Sequence, residues 1–232
     1  MNTYRKTAII VGVLFIVATV ASILGSVFLG SILDAPNYLI SVSAHGNQMI
    51  IAVIFFLIAA TSAFATSFML YPVLRRHIES LAMGYVSLRL FENVFYIVGT
   101  IGLLIMLTVS QKYVAGAVDA SYYQSLGTLL LALQNWSVLI GTLIFFGLGS
   151  MTLNYVLYQS KLIPRWLSVW GLIGAALVLL YGSLGIFGLG MGLTSPFAVL
   201  AIPIAVQEMV FAVWLIVKGF NKSAIAPDLQ NN

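Results

Sequence analysis

Three ionisable side chains lie inside apolar segments of the sequence, where charge is costly. Arg89 and Glu92 are three residues apart in one apolar run, and Glu208 lies near the middle of another. A charge at the centre of a bilayer costs about 2.5–3.5 kcal/mol on insertion scales, so such residues face the protein interior or a wet cavity. At a spacing of three, Arg89 and Glu92 share one helix face and can pair. We predict that Glu208 meets Arg89 from another helix.

The charge balance of this set points to proton chemistry. Two carboxylates share one guanidinium, so one negative charge is in surplus unless one glutamate is protonated. Burial favours the neutral acid, whereas a neighbouring arginine favours the carboxylate. The carboxylate that gains less from Arg89 is therefore a candidate proton carrier. Asn93 and Gln207, each adjacent to one of the glutamates, complete the predicted substrate- or proton-binding residues.

A structural role for the same residues stays open at this point. A buried arginine between two helices also fixes their register and closes the fold. The amides of Gln134, Asn135 and Asn154 in other apolar runs either line a cavity or form hydrogen bonds between helices, and the second alternative is the more common in membrane proteins. Because Gln207 and Glu208 are neighbours, only one of them can point directly inward.

The composition requires lipid as the surrounding medium. Of 232 residues, 61% are hydrophobic and only 7% are charged, whereas soluble domains carry roughly 25% charged residues. No fold of this length hides so many apolar side chains from water. The net charge of +4 comes from ten Lys and Arg scattered between apolar runs. No basic stripe for nucleic acid is present, and the bilayer is the predicted partner.

The apolar runs predict an all-α, polytopic bundle of six transmembrane helices. A crossing needs about 20 residues, and six segments qualify: 7–29, 47–71, 81–109, 126–158, 166–189 and 196–217. Eight Lys and Arg residues would then lie on one side of the membrane and only Lys112 on the other. The positive-inside rule places both termini in the cytoplasm. The connection carrying Arg75, Arg76 and His77 is predicted to be a solvated loop at the headgroups.

The fourth segment is unusually long. From Tyr122 to Tyr158 no residue is charged, and such a helix would extend about 55 Å. Splitting it into two crossings would move the later basic residues to the outside. We therefore predict one long helix, tilted or beginning in the interface.

The domain organisation is simple. Residues 1–222 form a single six-helix membrane domain, and residues 223–232 form a short flexible tail. Ala18, Ser22, Ser26 and Gly30 recur every four residues, a small-residue face that lets another backbone approach closely. Such a face serves helix packing or the formation of a homo-oligomer.

Metal sites, cofactors and familiar catalytic motifs have no support in the sequence. Cysteine is absent and only His45 and His77 are present, whereas a zinc site needs three or more convergent ligands. No nucleophile elbow occurs, and no histidine lies at membrane depth to activate a serine. We predict no metal and no cofactor. Whether the protein is an enzyme stays open, with the absence of motifs weighing against it.

Three features of the sequence resemble a known family. They are the basic start of the first helix and the segments LYPVLRRHIESLAMGYVSLRLFE and LIPRWLSVWGLIGA. The chain resembles, over residues 4–220, a bacterial membrane protein family catalogued as domain of unknown function 4386. The resemblance implies a multi-pass protein of the bacterial cytoplasmic (inner) membrane. It supplies no activity, so no functional residue is carried over from it.

Three functions are weighed for this chain. The first is proton-linked transport of a small solute through the Arg89, Glu92 and Glu208 site, which predicts a cavity that reaches both glutamates. The second is a membrane-embedded enzyme acting on lipid, which predicts a lateral opening. The third is a non-catalytic scaffold or partner subunit, which predicts a dry and fully paired Arg89.

Overall fold

The computed structural model of the protein describes residues 3–30, 32–116, 119–189 and 195–229, without the side chains of 226–229. All regular secondary structure in these ranges is helical. The helices are α1 (Thr3–Leu29), α2 (Tyr38–Ala44), α3 (Gly46–Val114), α4 (Ala120–Ser137), a π-helical segment (Val138–Phe145), α5 (Phe146–Ser160), α6 (Arg165–Ile186), a 3-10 helix (Pro196–Ala201), α7 (Ile202–Val217) and α8 (Lys222–Leu229). Helices satisfy their own backbone hydrogen bonds, as a chain in hydrocarbon must.

The predicted all-helical membrane class is confirmed. Within the described residues, five helical runs are long and apolar enough to cross a bilayer: Thr3–Leu29, Gly46–Val114, Ala120–Ser160, Arg165–Ile186 and Pro196–Val217. The number differs from six because the predicted segments 47–71 and 81–109 lie within one helix, α3. The uncharged fourth segment forms one continuous helical run, as its charge pattern indicated.

Helix α3 folds back on itself at a single residue. Ile78 has φ −145° and ψ 91°, whereas the residues on either side are helical. The arms 46–77 and 79–114 run antiparallel, since Gly46 lies against Leu107 and the rings of Phe56 and Tyr96 meet at 5.9 Å. The α3 hairpin therefore consists of two packed arms.

The prediction of a solvated loop at Arg75, Arg76 and His77 was wrong. These residues are helical and only Ile78 departs from helical geometry. The guanidinium of Arg75 lies 5.7 Å from the ring centre of Tyr71, and that of Arg76 lies 5.7 Å from the ring centre of Tyr4. Stacking of this kind accommodates the charges on a helix surface, so the chain can reverse without a long polar loop.

The start of α1, the end of α7 and the reversal of α3 lie at one end of the bundle, which we call the termini end. Arg5 donates hydrogen bonds of 2.6 to 3.3 Å to the last carbonyls of α7, and Tyr4 contacts Arg76 beside the reversal. The Asn221 N–H donates to Leu162 O at 2.8 Å, joining the α5–α6 connection to this end. The predicted tail is helical from Lys222 to Leu229, and residues 230–232 lie outside the described residues.

Helices α1 and α7 are in close antiparallel contact near the termini end. A Cβ placed on Gly12 would lie 2.6 Å from Ala212 O, so the absence of a side chain at Gly12 permits the crossing. The rings of Phe15 and Phe211 meet edge to face, 5.5 Å between centres.

At the opposite end of the bundle, α4 begins at a carboxylate cap. Asp119 accepts hydrogen bonds from the Ser121 hydroxyl at 2.8 Å and from the Tyr122 N–H at 3.1 Å. These two bonds hold the pKa of this exposed carboxyl below its usual range. The cap therefore supports the first turn of α4 above the ordinary aspartate pKa, and its contribution falls as the pH drops through the lowered value.

We expect acid to loosen the start of α4 in the wild type. Amide exchange at Ser121 to Tyr123, corrected for intrinsic rates, should rise as the pH falls below the ordinary aspartate pKa and Asp119 becomes protonated. An Asp119→Asn variant keeps an uncharged cap and should show no such rise. Equal acid sensitivity in both proteins would contradict a role for this carboxylate.

Candidate functional site

Arg89, Glu92 and Glu208 meet in the interior, as their types and depth predicted. Arg89 Nη1 donates to Glu92 Oε1 at 3.1 Å and to Glu92 Oε2 at 3.0 Å. Arg89 Nη2 donates to Glu208 Oε1 at 3.2 Å, across 119 positions of sequence. We call these three residues the charge cluster. It joins the second arm of α3 to α7.

The position of the cluster follows from helix geometry. Glu92 lies about 20 Å along the second arm of α3 from Ile78, at 1.5 Å per residue, and Glu208 lies in the middle of the run Pro196–Val217. The side chain of Arg89 is 3% exposed and that of Glu92 is 8% exposed. Buried charges of this kind persist only when they are paired, and each member finds its partner within the cluster.

Three aromatic rings surround the guanidinium of Arg89. Its Cζ lies 5.1 Å from the ring centre of Phe146, 5.6 Å from Tyr85 and 6.0 Å from Phe15. Cation–π attraction is strongest where water is excluded, so the rings replace part of the lost hydration. Arg89 Nε and Tyr85 Oη have no hydrogen-bond partner among the described residues.

The two carboxylates of the cluster differ in how completely they are paired. Both oxygens of Glu92 accept hydrogen bonds from Arg89 Nη1. Glu208 accepts through Oε1 alone, and its other oxygen accepts no hydrogen bond from the described residues. The Glu208 side chain is also twice as exposed, at 16%. Glu208 is therefore the less completely paired of the two carboxylates.

A cavity of about 290 Å³ reaches the charge cluster. Its volume is close to the lower end of the roughly 300–1,000 Å³ typical of ligand pockets. Arg89, Glu92 and Glu208 all line it, whereas most of the remaining wall is apolar. Ser22 and Tyr96, which are 3.2 Å apart through their hydroxyl oxygens, also border the cavity and join α1 to α3.

The exposed lining residues of the cavity lie on α1 and α7, which indicates an opening between these two helices. Of its lining residues, Ile23 is 57% exposed and Ala205 is also exposed. Ile23 belongs to an exposed apolar stripe on α1, and Ala205 borders a second stripe on α7. The stripes consist of Val13, Val17, Val20, Ile23 and Val27, and of Ile202, Val206, Val213 and Val217. We call this opening the lateral mouth.

The two amides assigned to the site by sequence lie in different places. Asn93 lines the cavity, and its Nδ2 donates to Arg89 O at 2.8 Å. Gln207 lies apart from the cavity, where its Nε2 donates to Asn154 Oδ1 and to Leu167 O, both at 3.2 Å. Gln207 therefore ties α7 to α5 and α6, and Glu208 is the member of the pair that faces the charge cluster.

The π-helical segment supplies part of the wall that sequence reasoning missed. Thr142 and Leu143 line the cavity, and a Cβ on Gly141 would lie 2.8 Å from Phe95 Cβ and 3.3 Å from Glu92 O. The segment therefore packs directly on the turn of α3 that carries Glu92. Segments of π-helix occur often at functional sites. Thr142 lies in an uncharged apolar run, so its hydroxyl group was the one sequence signal that could have identified it as a cavity residue.

The described residues offer no metal centre. No three His, Asp or Glu side chains come together within those ranges. Two carboxylates do meet in the charge cluster, but Arg89 lies between them and already occupies three of their four oxygens. One carboxylate oxygen, on Glu208, is left without a hydrogen bond from Arg89.

Comparison with known protein families identifies a match over most of the chain. A family model described as a domain of unknown function (DUF4386) matches residues 10–219, which confirms the resemblance drawn from the sequence. No curated protein and no solved structure matches the chain. The matched range contains every residue that lines the cavity.

Proposed function

Because the chain belongs to the domain of unknown function family DUF4386, whose description assigns no activity, we propose a function from the cavity itself. The protein binds a small solute beside Glu208 and moves it across the membrane in a cycle linked to protonation of that carboxylate. The observation that carries this proposal is the unequal pairing of Glu92 and Glu208 at a cavity wall. Glu92 neutralises Arg89, and Glu208 keeps one oxygen for a proton or a solute.

The membrane arrangement we propose has six crossings. Each arm of the α3 hairpin is longer than the roughly 20 residues that a crossing needs, so α3 contributes two. Arg5 and the basic residues beside the α3 reversal lie at the termini end. The positive-inside rule then places that end in the cytoplasm, in keeping with a bacterial cytoplasmic membrane.

An ion pair that served only as a clamp would have no need of a cavity. Arg89 bridges two helices, as a clamp requires, yet the partner on α7 borders about 290 Å³ of space. Intramembrane ionisable residues that face such a space are typical of proton and substrate pathways. The cavity therefore favours transport over a purely structural role.

Protonation of Glu208 is tested directly by infrared spectroscopy. We expect a protonated-carboxyl band that titrates with pH in the wild type and in Glu79→Gln, an exposed control with the same chemical change. Glu208→Gln should remove this band. Glu92→Gln leaves Glu208 as the remaining carboxylate partner of Arg89 in the cluster. This variant should therefore shift the pH at which the Glu208 band titrates, whereas Glu208→Gln removes the band. A band that survives Glu208→Gln unchanged would contradict the proposal.

Transport is tested in sealed proteoliposomes with an imposed pH gradient. A mixture of small solutes is added outside, and the vesicle contents are identified by mass spectrometry. Wild type and Glu79→Gln should accumulate at least one solute when the gradient is present, and Glu208→Gln should not. Size-exclusion profiles must show that all three proteins are folded. Solute accumulation that is equal with and without the pH gradient, or that persists in Glu208→Gln, would count against proton linkage.

The lateral mouth also favours the second candidate, an enzyme acting on lipid. A lipid could approach Glu208 from the bilayer without crossing water. The same proteoliposomes separate the two functions, because an enzyme would convert bilayer lipids into products of different mass. Transport leaves the lipids unchanged.

A further inference from the structure

The net charge of the cavity selects among solutes. Among the described residues that line it, Arg89 is the one cation and Glu92 and Glu208 are the two anions. With both carboxylates ionised, the lining carries one negative charge at a depth where an unbalanced charge is expensive. A bound monovalent cation would bring the lining and solute together to neutrality, in the position that a proton on Glu208 otherwise takes.

An anion finds no comparable place. Both Nη atoms of Arg89 already donate to carboxylates, and its unpaired Nε is buried out of reach of the cavity, so an anion would have to displace a carboxylate to bind the guanidinium. The displaced carboxylate would then remain buried without a cation, which is strongly unfavourable. Like-charge repulsion from Glu92 and Glu208 adds to this cost.

A hard inorganic cation is also a poor fit. Such ions take about six to eight oxygen ligands at close range. The cavity wall is mainly apolar, with side chains such as Ala59 and Ile204 facing the space. Several of its oxygens are already engaged, because Ser22 and Tyr96 pair through their hydroxyls and three of the four carboxylate oxygens accept from Arg89. Organic ammonium groups need no such shell, because their charge is spread and apolar or aromatic walls suit them.

The route of access agrees with an apolar body on the solute. The lateral mouth lies between Ile23 and Ala205 and borders the lipid-facing stripes of α1 and α7. A molecule that partitions into hydrocarbon therefore reaches Glu208 without passing a polar barrier. A strongly hydrated solute would have to shed its water at this mouth.

Building on the proposed function, we infer that the solute of this cavity is a monovalent organic cation with an apolar body, held by Glu208. Its ammonium group lies at the oxygen of Glu208 that Arg89 leaves unpaired. Its apolar part occupies the space lined by Phe15, Leu143 and Ile204. The proton and the cation compete for one carboxylate, which is the basis of their exchange.

A matched set of three probes tests the solute class. Benzyltrimethylammonium is the cation, neopentylbenzene is its uncharged isostere, and benzylsulfonate is the anion of similar shape. Binding of radiolabelled benzyltrimethylammonium to protein in nanodiscs is measured by equilibrium dialysis against empty nanodiscs. The other two compounds are added as unlabelled competitors.

We expect saturable binding of benzyltrimethylammonium to the wild type and to Glu79→Gln. Glu208→Gln should lower the affinity at least about tenfold, and Glu208→Asp, which keeps the charge, should lower it less. Neither neopentylbenzene nor benzylsulfonate should compete. Equal competition by neopentylbenzene, or equal binding to Glu208→Gln, would overturn the assignment of a cation.

The outcomes separate the solute class from transport. If benzyltrimethylammonium does not bind while another solute accumulates in a Glu208-dependent manner, the cation class is overturned and transport stands. If benzyltrimethylammonium binds through Glu208 but no solute follows the pH gradient, the class is supported and transport falls. Size-exclusion profiles of each variant exclude misfolding as the cause of lost binding.

Discussion

Replacing Arg89 with methionine should cause the largest loss of stability of any single substitution in the charge cluster. Glu92 and Glu208 would both lose their shared cation while remaining buried. Breaking a buried ion pair by removing one partner typically costs about 3–5 kcal/mol. Unfolding in mixed micelles of increasing SDS content, followed by tryptophan fluorescence, measures the loss.

The fully neutral cluster provides the control for this substitution. In the triple variant Arg89→Met, Glu92→Gln, Glu208→Gln no charge remains to be left unpaired, so most of the stability should return. Exchanging a whole buried ion cluster for neutral groups is often close to neutral. If Arg89→Met alone unfolds like the wild type, or if the triple variant is as unstable as Arg89→Met, the cluster does not hold the fold in the way its geometry indicates.

A methyl group on Gly12 should produce the second large effect, by forcing α1 away from α7. The added Cβ would lie 2.6 Å from Ala212 O and 2.7 Å from Ile216 Cγ1. A backbone carbonyl cannot rotate out of the way, so the whole helix must shift. Overpacking of this kind typically costs about 1–3 kcal/mol. The same SDS titration measures it.

Gly84→Ala is the matched control, since no atom lies within 4 Å of a Cβ placed there. Alanine is favoured over glycine inside a helix by up to about 1 kcal/mol, so this variant should be as stable as the wild type or more so. Gly12→Ala should also weaken solute binding, because α1 carries one edge of the lateral mouth. Equal stability of Gly12→Ala and Gly84→Ala would show that the α1–α7 crossing tolerates a side chain.

The sequence was most informative where a residue type conflicts with its surroundings. Arg89, Glu92 and Glu208 are expensive in an apolar helix, and that expense allowed their meeting to be predicted without knowledge of the helix packing. The apolar runs likewise located the helices, because backbone groups in lipid have few alternatives to helical hydrogen bonding. Both inferences rest on large free-energy costs, of a charge in hydrocarbon and of unpaired backbone groups there, that depend little on how the helices pack.

Features that depend on a single backbone angle were beyond this reasoning. The polar residues around Ile78 have the composition of a loop, yet one residue with extended dihedrals is enough to reverse α3. The π-helical segment likewise has no recognisable sequence pattern, because a change of hydrogen-bond register needs no particular residue type. The cavity wall formed by Thr142 and Leu143 could not be predicted for that reason.

For the adjacent residues Gln207 and Glu208, the sequence could not predict which of the two faces the charge cluster. Neighbours on a helix point about 100° apart, so sequence indicated that one would face inward and the other would not. Both turn out to be largely buried, because α7 has protein on two sides. Gln207 hydrogen-bonds to Asn154 and Leu167, while Glu208 meets Arg89. Only the packing of α5 and α6 distinguishes their roles.

Arg89 meets its two carboxylates at different times during biosynthesis. Glu92 follows three residues later, so the two charges enter the bilayer together as a local, neutral pair. Glu208 is synthesised 119 residues after Arg89. The carboxylate on α7 therefore joins a guanidinium that already has one partner on its own helix. Contact between α7 and the second arm of α3 completes the charge cluster.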